Sequence, residues 1–186
     1  MPSLSDEDSR TILEVARQAV VQAVLHNRIL APFPKSGIFA EHRALFVTLR
    51  VANKLRGCIG ILDAHVELGE NLVRCAADAA LHDPRFPRMQ PEELDGLDLE
   101  VSLLSPLQPI QAEEVEIGKH GLLAERGTRR GLLLPQVAVE HRLSREQFLQ
   151  ETCLKAGLPR DAWREPETKL SGFECEIISS HKAIEK

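Results

Sequence analysis

The stretch Leu45-Phe46-Val47-Thr48-Leu49-Arg50-Val51-Ala52-Asn53-Lys54-Leu55-Arg56-Gly57-Cys58-Ile59-Gly60-Ile61-Leu62 reads as a β-hairpin. Leu45, Val47 and Leu49 alternate with Phe46 and Thr48, the period-two pattern of a strand with one buried face. Ala52, Asn53 and Lys54 are expected to make the turn. On the return strand, alternation assigns Leu55, Gly57, Ile59 and Ile61 to one face and Arg56, Cys58 and Gly60 to the other.

The segments around this hairpin change period. Upstream, Ser5 and Asp8 have capping-box spacing, and Asp6 and Glu7 place negative charge at the positive end of a helix. Ile12, Leu13, Ala16, Ala19, Val20, Ala23 and Val24 follow at helical spacing, until the pattern fades at His26 and Asn27. Pro32 and Pro34 open a loop that runs to about Glu41. Downstream, a helix is expected from Glu67 to Leu81, with a stripe of Leu68, Leu72, Cys75, Ala76 and Ala79, and Asp83-Pro84 stops it. Leu97, Leu99, Val101 and Leu103 alternate with Asp98, Glu100 and Ser102 in a strand that ends at Pro106. Residues 113–119 read as an extended entry segment. Gly121 to Glu125 and Gly131 to Leu134 read as two short strands joined through Gly127. Gln136 to His141 is expected to be helical. Ser144 and Gln147 start another helix, for which Gly157 is a suitable end. Phe173, Cys175 and Ile177 alternate in a final strand. Helices mixed irregularly with hairpins predict an α+β fold with a largely antiparallel sheet.

The chain has 186 residues, 43% hydrophobic and 27% charged, with a net charge of −5. A chain of this length buries roughly 70% of its unfolded surface, so neither a metal nor a disulfide is required for folding. The acidic balance and the 4% aromatic content, with no Tyr, argue against nucleic-acid binding, which favours basic surfaces and exposed stacking rings. No apolar run is long enough to span a bilayer. The acidic, polar segment from Ser3 to Arg10 is unlike a secretory signal, so a cytoplasmic location is expected. Cys58, Cys75, Cys153 and Cys175 form no CxxC pair and have no His at zinc-ligand spacing. Reduced thiols are therefore expected, with no metal and no cofactor.

Leu55-Arg56-Gly57-Cys58-Ile59-Gly60 resembles the signature hexapeptide of the AMMECR domain family, whose prokaryotic members are often named AmmeMemoRadiSam system protein A. The likeness continues in family order through Asp83-Pro84-Arg85-Phe86-Pro87, Glu100-Val101-Ser102-Leu103-Leu104-Ser105-Pro106 and Gly118-Lys119-His120-Gly121-Leu122. Gly131-Leu132-Leu133-Leu134-Pro135-Gln136-Val137-Ala138 and Cys153-Leu154-Lys155-Ala156-Gly157-Leu158 complete it. The resemblance spans nearly the whole chain. It implies a single domain over residues 1–186, with a curved, barrel-like sheet flanked by helices in a larger and a smaller subdomain. It implies a Memo-type protein and a radical-SAM protein as partners, and no settled chemistry. Where relatives often have an aromatic residue, this chain has His141-Arg142-Leu143.

Cys58 is the sharpest candidate for chemistry. A thiol reacts as thiolate, and a neighbouring cation favours that form. Arg56 lies on the expected face of Cys58, while Gly57 and Gly60 would admit a ligand or another backbone. His120, placed by the resemblance, is the expected acid/base, converging with residues 56 and 58 on a hollow. The alternative for each is packing: a buried thiol, glycines at a tight bend, and a histidine capping a turn. Glu140, near Pro135-Gln136 at a helix start, is a second acid/base candidate, or one half of an ordinary ion pair. Arg130, with Arg126 and Arg129, would bind an anion or form a solvated turn. Arg85 would bind from a proline-stiffened loop beside Asp83. Two functions follow: an enzyme or substrate-holding component with a small-molecule pocket at Cys58, or a non-catalytic module that docks onto one of the implied partners.

Overall fold

The computed structural model describes residues 4–31, 33–62 and 65–180. Ser3, Pro32 and His181 lie outside the described residues. The elements run α1 Asp6–His26, β1 Leu45–Val51, β2 Lys54–Ile61, α2 Leu68–Leu81, β3 Leu97–Leu104, β4 Gln108–Pro109, β5 Gly121–Arg126 and β6 Arg129–Leu133. They continue with α3 Pro135–Glu140, α4 Arg145–Lys155, β7 Lys169–Phe173 and β8 Cys175–Ser179. The α+β class is as expected. The strands, however, form two open four-stranded sheets, β2-β1-β3-β8 and β4-β7-β5-β6, rather than one barrel-like sheet. Neither strand order returns on itself to close. The chain divides into two compact units, with boundaries at Leu103/Leu104 and Cys175/Glu176.

In the first unit, Ser5 caps α1 by accepting the Asp8 N–H at 3.0 Å. Asn27 ends it in the left-handed conformation, φ 50°, with its N–H on the Ala23 carbonyl. The apolar faces of α1 and α2 (Ile12, Ala16, Ala19, Leu68, Leu72, Ala76) bury Leu45, Val47 and Leu49 of β1 and Leu99, Val101 and Leu103 of β3. Alanines on the helices allow close packing on the sheet.

The hairpin differs from its expected register. Its turn has two residues, Ala52 and Asn53, both at positive φ (49° and 62°), the geometry whose twist suits a tight hairpin. Lys54 already belongs to β2. The register then shifts between Leu49 and Arg50: Arg50 pairs with Leu55, but Leu49 pairs with Gly57. Arg56 is the extra residue of a β-bulge. The bulge moves Leu55 off the core face, where alternation had put it, and leaves it 38% exposed. Gly57 faces the helices instead. A Cβ there would collide with the Ala79 carbonyl of α2, so only glycine admits this approach of strand to helix.

In the second unit, β5 carries Leu122 and Ala124 against α3 and α4, with Phe148, Leu149 and Cys153 buried between. The expected extended segment at 113–119 is instead a 3-10 turn, Ala112–Glu114, followed by a tight turn. Glu114 bends back to accept the Gln111 N–H at 2.8 Å, and Gly118 at φ 84° completes the reversal. The expected final strand is likewise two strands. β7 belongs to the second sheet and β8 to the first, with Glu174 in neither. A strand that changes sheets does not carry its pleat phase with it, so Ile178 is buried and Ile177 is 47% exposed, the reverse of the alternation.

Gly57→Ala should lower stability by about 2–3 kcal/mol, the cost of forcing a methyl into a packed backbone contact. Gly96→Ala meets only Val51 Cγ1 at 3.7 Å and should stay within about 0.5 kcal/mol of the parent. Urea denaturation of both variants measures the difference.

Candidate functional site

Cys58 lies on the face of the first sheet that points away from α1 and α2, and it is half-buried. The register places it opposite Thr48, which in turn lies opposite Glu100 on β3. The next row along the sheet is Gly60, Phe46 and Ser102. The Thr48 hydroxyl donates to the Cys58 sulfur at 3.4 Å. A Cβ on Gly60 would meet the Phe46 ring, so that glycine seats the aromatic side chain rather than a ligand. The Ser102 hydroxyl is buried and has no hydrogen-bond partner among the described residues. These two rows therefore carry a thiol, two buried hydroxyls, the Glu100 carboxylate and an aromatic ring.

One loop fixes the backbone of Cys58 on both sides. The Asp83 carboxylate, 4% exposed as a residue, accepts the Cys58 N–H at 2.8 Å. Arg85 donates to Asp83 through Nε at 3.0 Å and Nη2 at 2.7 Å, and Nη2 also reaches the Cys58 carbonyl at 3.3 Å. The Arg85 side chain remains 54% exposed. The Arg85 hydrogen bonds, joined by the N–H groups of Cys58 and Arg85, hold the Asp83 carboxyl at about 2, below its ordinary 3.8, although burial pushes it the other way. Pro84 stiffens the two-residue step between the paired charges.

Arg56 does not turn its charge toward the thiol. Its guanidinium grips Glu93 with two bonds, Nε–Oε1 at 2.6 Å and Nη2–Oε2 at 2.9 Å. Glu93 also accepts the Gln90 N–H at 2.7 Å, and the Arg56 hydrogen bond lowers its pKa. This pair ties the bulge to the 3-10 turn Pro91–Gly96. The cation that touches Cys58 is Arg85. Gly57 serves the α2 contact and lies on the opposite face from Cys58.

The remaining candidates belong to the second unit. The His120 ring closes a local turn, with Nδ1 accepting the Glu116 N–H at 3.1 Å, so the ring proton sits on Nε2 in this geometry. Arg130 lies 3.6 Å from Glu125, its cross-strand partner. Its neighbours are also committed: Arg126 binds Thr168, the Ala162 carbonyl and Glu165, and Arg129 binds the Gly157 carbonyl. Gln136 keeps a buried Oε1 without a partner among the described residues, and Glu140 is exposed at the end of α3. Burial pushes the Cys75 thiol up to about 12 and raises that of Cys153. Thr48, Phe46 and Ser102 around Cys58 escaped sequence reasoning. Alternation had put Phe46 and Thr48 off the core face, but only the cross-strand register sets them beside the thiol.

The model of the AMMECR1 family matches residues 13–178. A protein of Methanothermobacter thermautotrophicus is 42% identical over 183 residues, covering 94% of this chain and 95% of its own length. Protein TK0174 of Thermococcus kodakarensis is 41% identical over 190 residues, with coverage of 96% and 93%. The crystal structure of uncharacterized protein PH0010 from Pyrococcus horikoshii superposes with a TM-score of 0.87 at 39% identity, covering 94% of this chain and 92% of its own.

Asp83→Asn removes a carboxylate whose folded pKa lies below its unfolded value. The stability that depends on its charge is complete above about pH 4 and is lost as pH falls toward about 2. The parent should therefore exceed Asp83→Asn by a constant margin from pH 5 to 7, and the margin should shrink between pH 4 and 2. Denaturation midpoints measured across that range test the expectation.

Proposed function

This chain belongs to the AMMECR1 family, and on that premise we propose that its first unit holds a small molecule against the sheet face at Cys58, with the thiol as the reacting group. The observation that carries the reading is the double anchoring of Cys58. Its N–H is bound by Asp83 and its carbonyl by Arg85, while its half-buried sulfur accepts the Thr48 hydroxyl. A reactive atom gains from being held in place before its substrate arrives. The two carboxylates and two arginines nearest the motif do this holding. The partly open sulfur and Phe46 ring remain to meet the molecule, with the buried Thr48 and Ser102 hydroxyls in the same two rows.

The surroundings favour a small, weakly charged substrate. Arg56 is neutralised by Glu93 and Arg85 by Asp83, so both arginines nearest the thiol among the described residues are already paired. When the thiol adds to an electrophilic carbonyl, the S–H proton ends on the carbonyl oxygen as the S–C bond forms. Ser102 or Thr48 is suited to donate a hydrogen bond to that oxygen.

Iodoacetamide labelling of the native protein, read by mass spectrometry, tests the site. Cys58 should label while Cys75 and Cys153 stay protected until denaturant is added. Thr48→Val should slow labelling of Cys58 about threefold, the scale of one neutral hydrogen bond. A Cys58 that labels only after unfolding would end its role as the reacting group.

A further inference from the structure

The second unit holds a cleft of about 430 Å³ whose lining includes none of the groups around Cys58. Leu133 of β6, Val137 of α3, Leu143 between the two helices and Leu154 of α4 form its apolar walls. It is bounded by the turn between the two helices. α3 lasts only six residues, Arg142 reverses the chain at φ 52°, and the Leu143 N–H returns to the Ala138 carbonyl at 2.8 Å. This brings His141 and Leu143, from the segment His141-Arg142-Leu143, into the cleft wall. Leu154 stays 41% exposed at its edge. Large apolar side chains that line an open hollow and remain wet mark a surface suited to an apolar ligand.

Three polar groups border the same hollow: His141, Glu151 and Lys155. Glu151 is matched by Arg160 at 3.6 Å. The Lys155 ammonium has no ion-pair partner among the described residues, and the His141 ring has no hydrogen-bond partner among them. The charge left for a ligand is therefore positive. A volume of 430 Å³ suits a molecule on the order of ten to fifteen non-hydrogen atoms.

We propose that this cleft binds a small monocarboxylic acid with an apolar body, its chain between Leu133, Val137, Leu143 and Leu154 and its carboxylate at Lys155 beside His141. The site shares no residue with the Cys58 face, and its failure would leave the Cys58 reading untouched. Leu154 and Lys155 are consecutive in the last turn of α4 and both line the cleft, so an apolar contact and a cation lie side by side there. An acid enters with its charge matched, whereas an alcohol of equal length leaves the ammonium without a partner.

The test is titration of the full chain with octanoate, and separately with 1-octanol, followed by two-dimensional amide NMR. Octanoate should shift the amides of Val137, Leu143 and Leu154 saturably, and octanol should bind about three- to tenfold more weakly. Lys155→Gln, at an exposed position, should remove that preference. Leu143→Phe, which fills the hollow, should weaken both ligands. Equal affinity for acid and alcohol, an unaltered preference in Lys155→Gln, or no saturable shift at millimolar octanoate would each overturn the proposal.

Discussion

The extra residue at Arg56 is the constraint on which the first unit depends. Counted from the two-residue turn, an unbroken ladder would set Gly57 opposite Thr48 and Cys58 opposite Val47, with the thiol among the core side chains of α1 and α2. The bulge advances the register by one, and a shift of one residue exchanges the faces of everything beyond it. Gly57 thereby meets the Ala79 carbonyl, and Cys58 meets the Thr48 hydroxyl. Both contacts follow from the same insertion.

Two carboxylates make the insertion durable. Glu93 holds Arg56 where the ladder is interrupted, with both bonds to a guanidinium that is largely shielded from water. Asp83 holds the next N–H along the strand on that face, that of Cys58, and is itself held by Arg85. Charges that looked available for catalysis are thus committed to shape. A charge-assisted bond of this kind fixes direction better than a neutral one, and removing Arg85 would leave the buried Asp83 carboxylate without its counter-charge.

The second unit obtains its shape differently. Gly131 admits the backbone of Ala156 against β6, as Gly57 admits α2 in the first unit. Here the helices are short. The sharp turn at Arg142 separates six residues of α3 from eleven of α4, and the apolar surface they leave uncovered becomes the cleft. His120 illustrates how local geometry settles a role: its Nδ1 is used to close the turn that begins at Glu116.

Much was settled by local patterns in the sequence. Period and capping gave α1, α2, α4 and the hairpin strands within a residue or two, because an apolar stripe and a Ser cap act over one or two turns. Helices mixed irregularly with hairpins argued for an α+β chain, and the hexapeptide around Cys58 marked the family. Tertiary structure decided what depends on pairing between distant segments. The bulge is invisible to alternation because an inserted residue has no signature until its partner strand is known, so Leu55 was misassigned. The switch of sheets at Glu174 reversed Ile177 and Ile178 for the same reason. The partner of each arginine was likewise undecided, since Glu93 lies 37 residues from Arg56 in sequence and 2.6 Å from it in space. Sequence names the charges, but only the fold brings a particular carboxylate within bonding distance of a particular guanidinium.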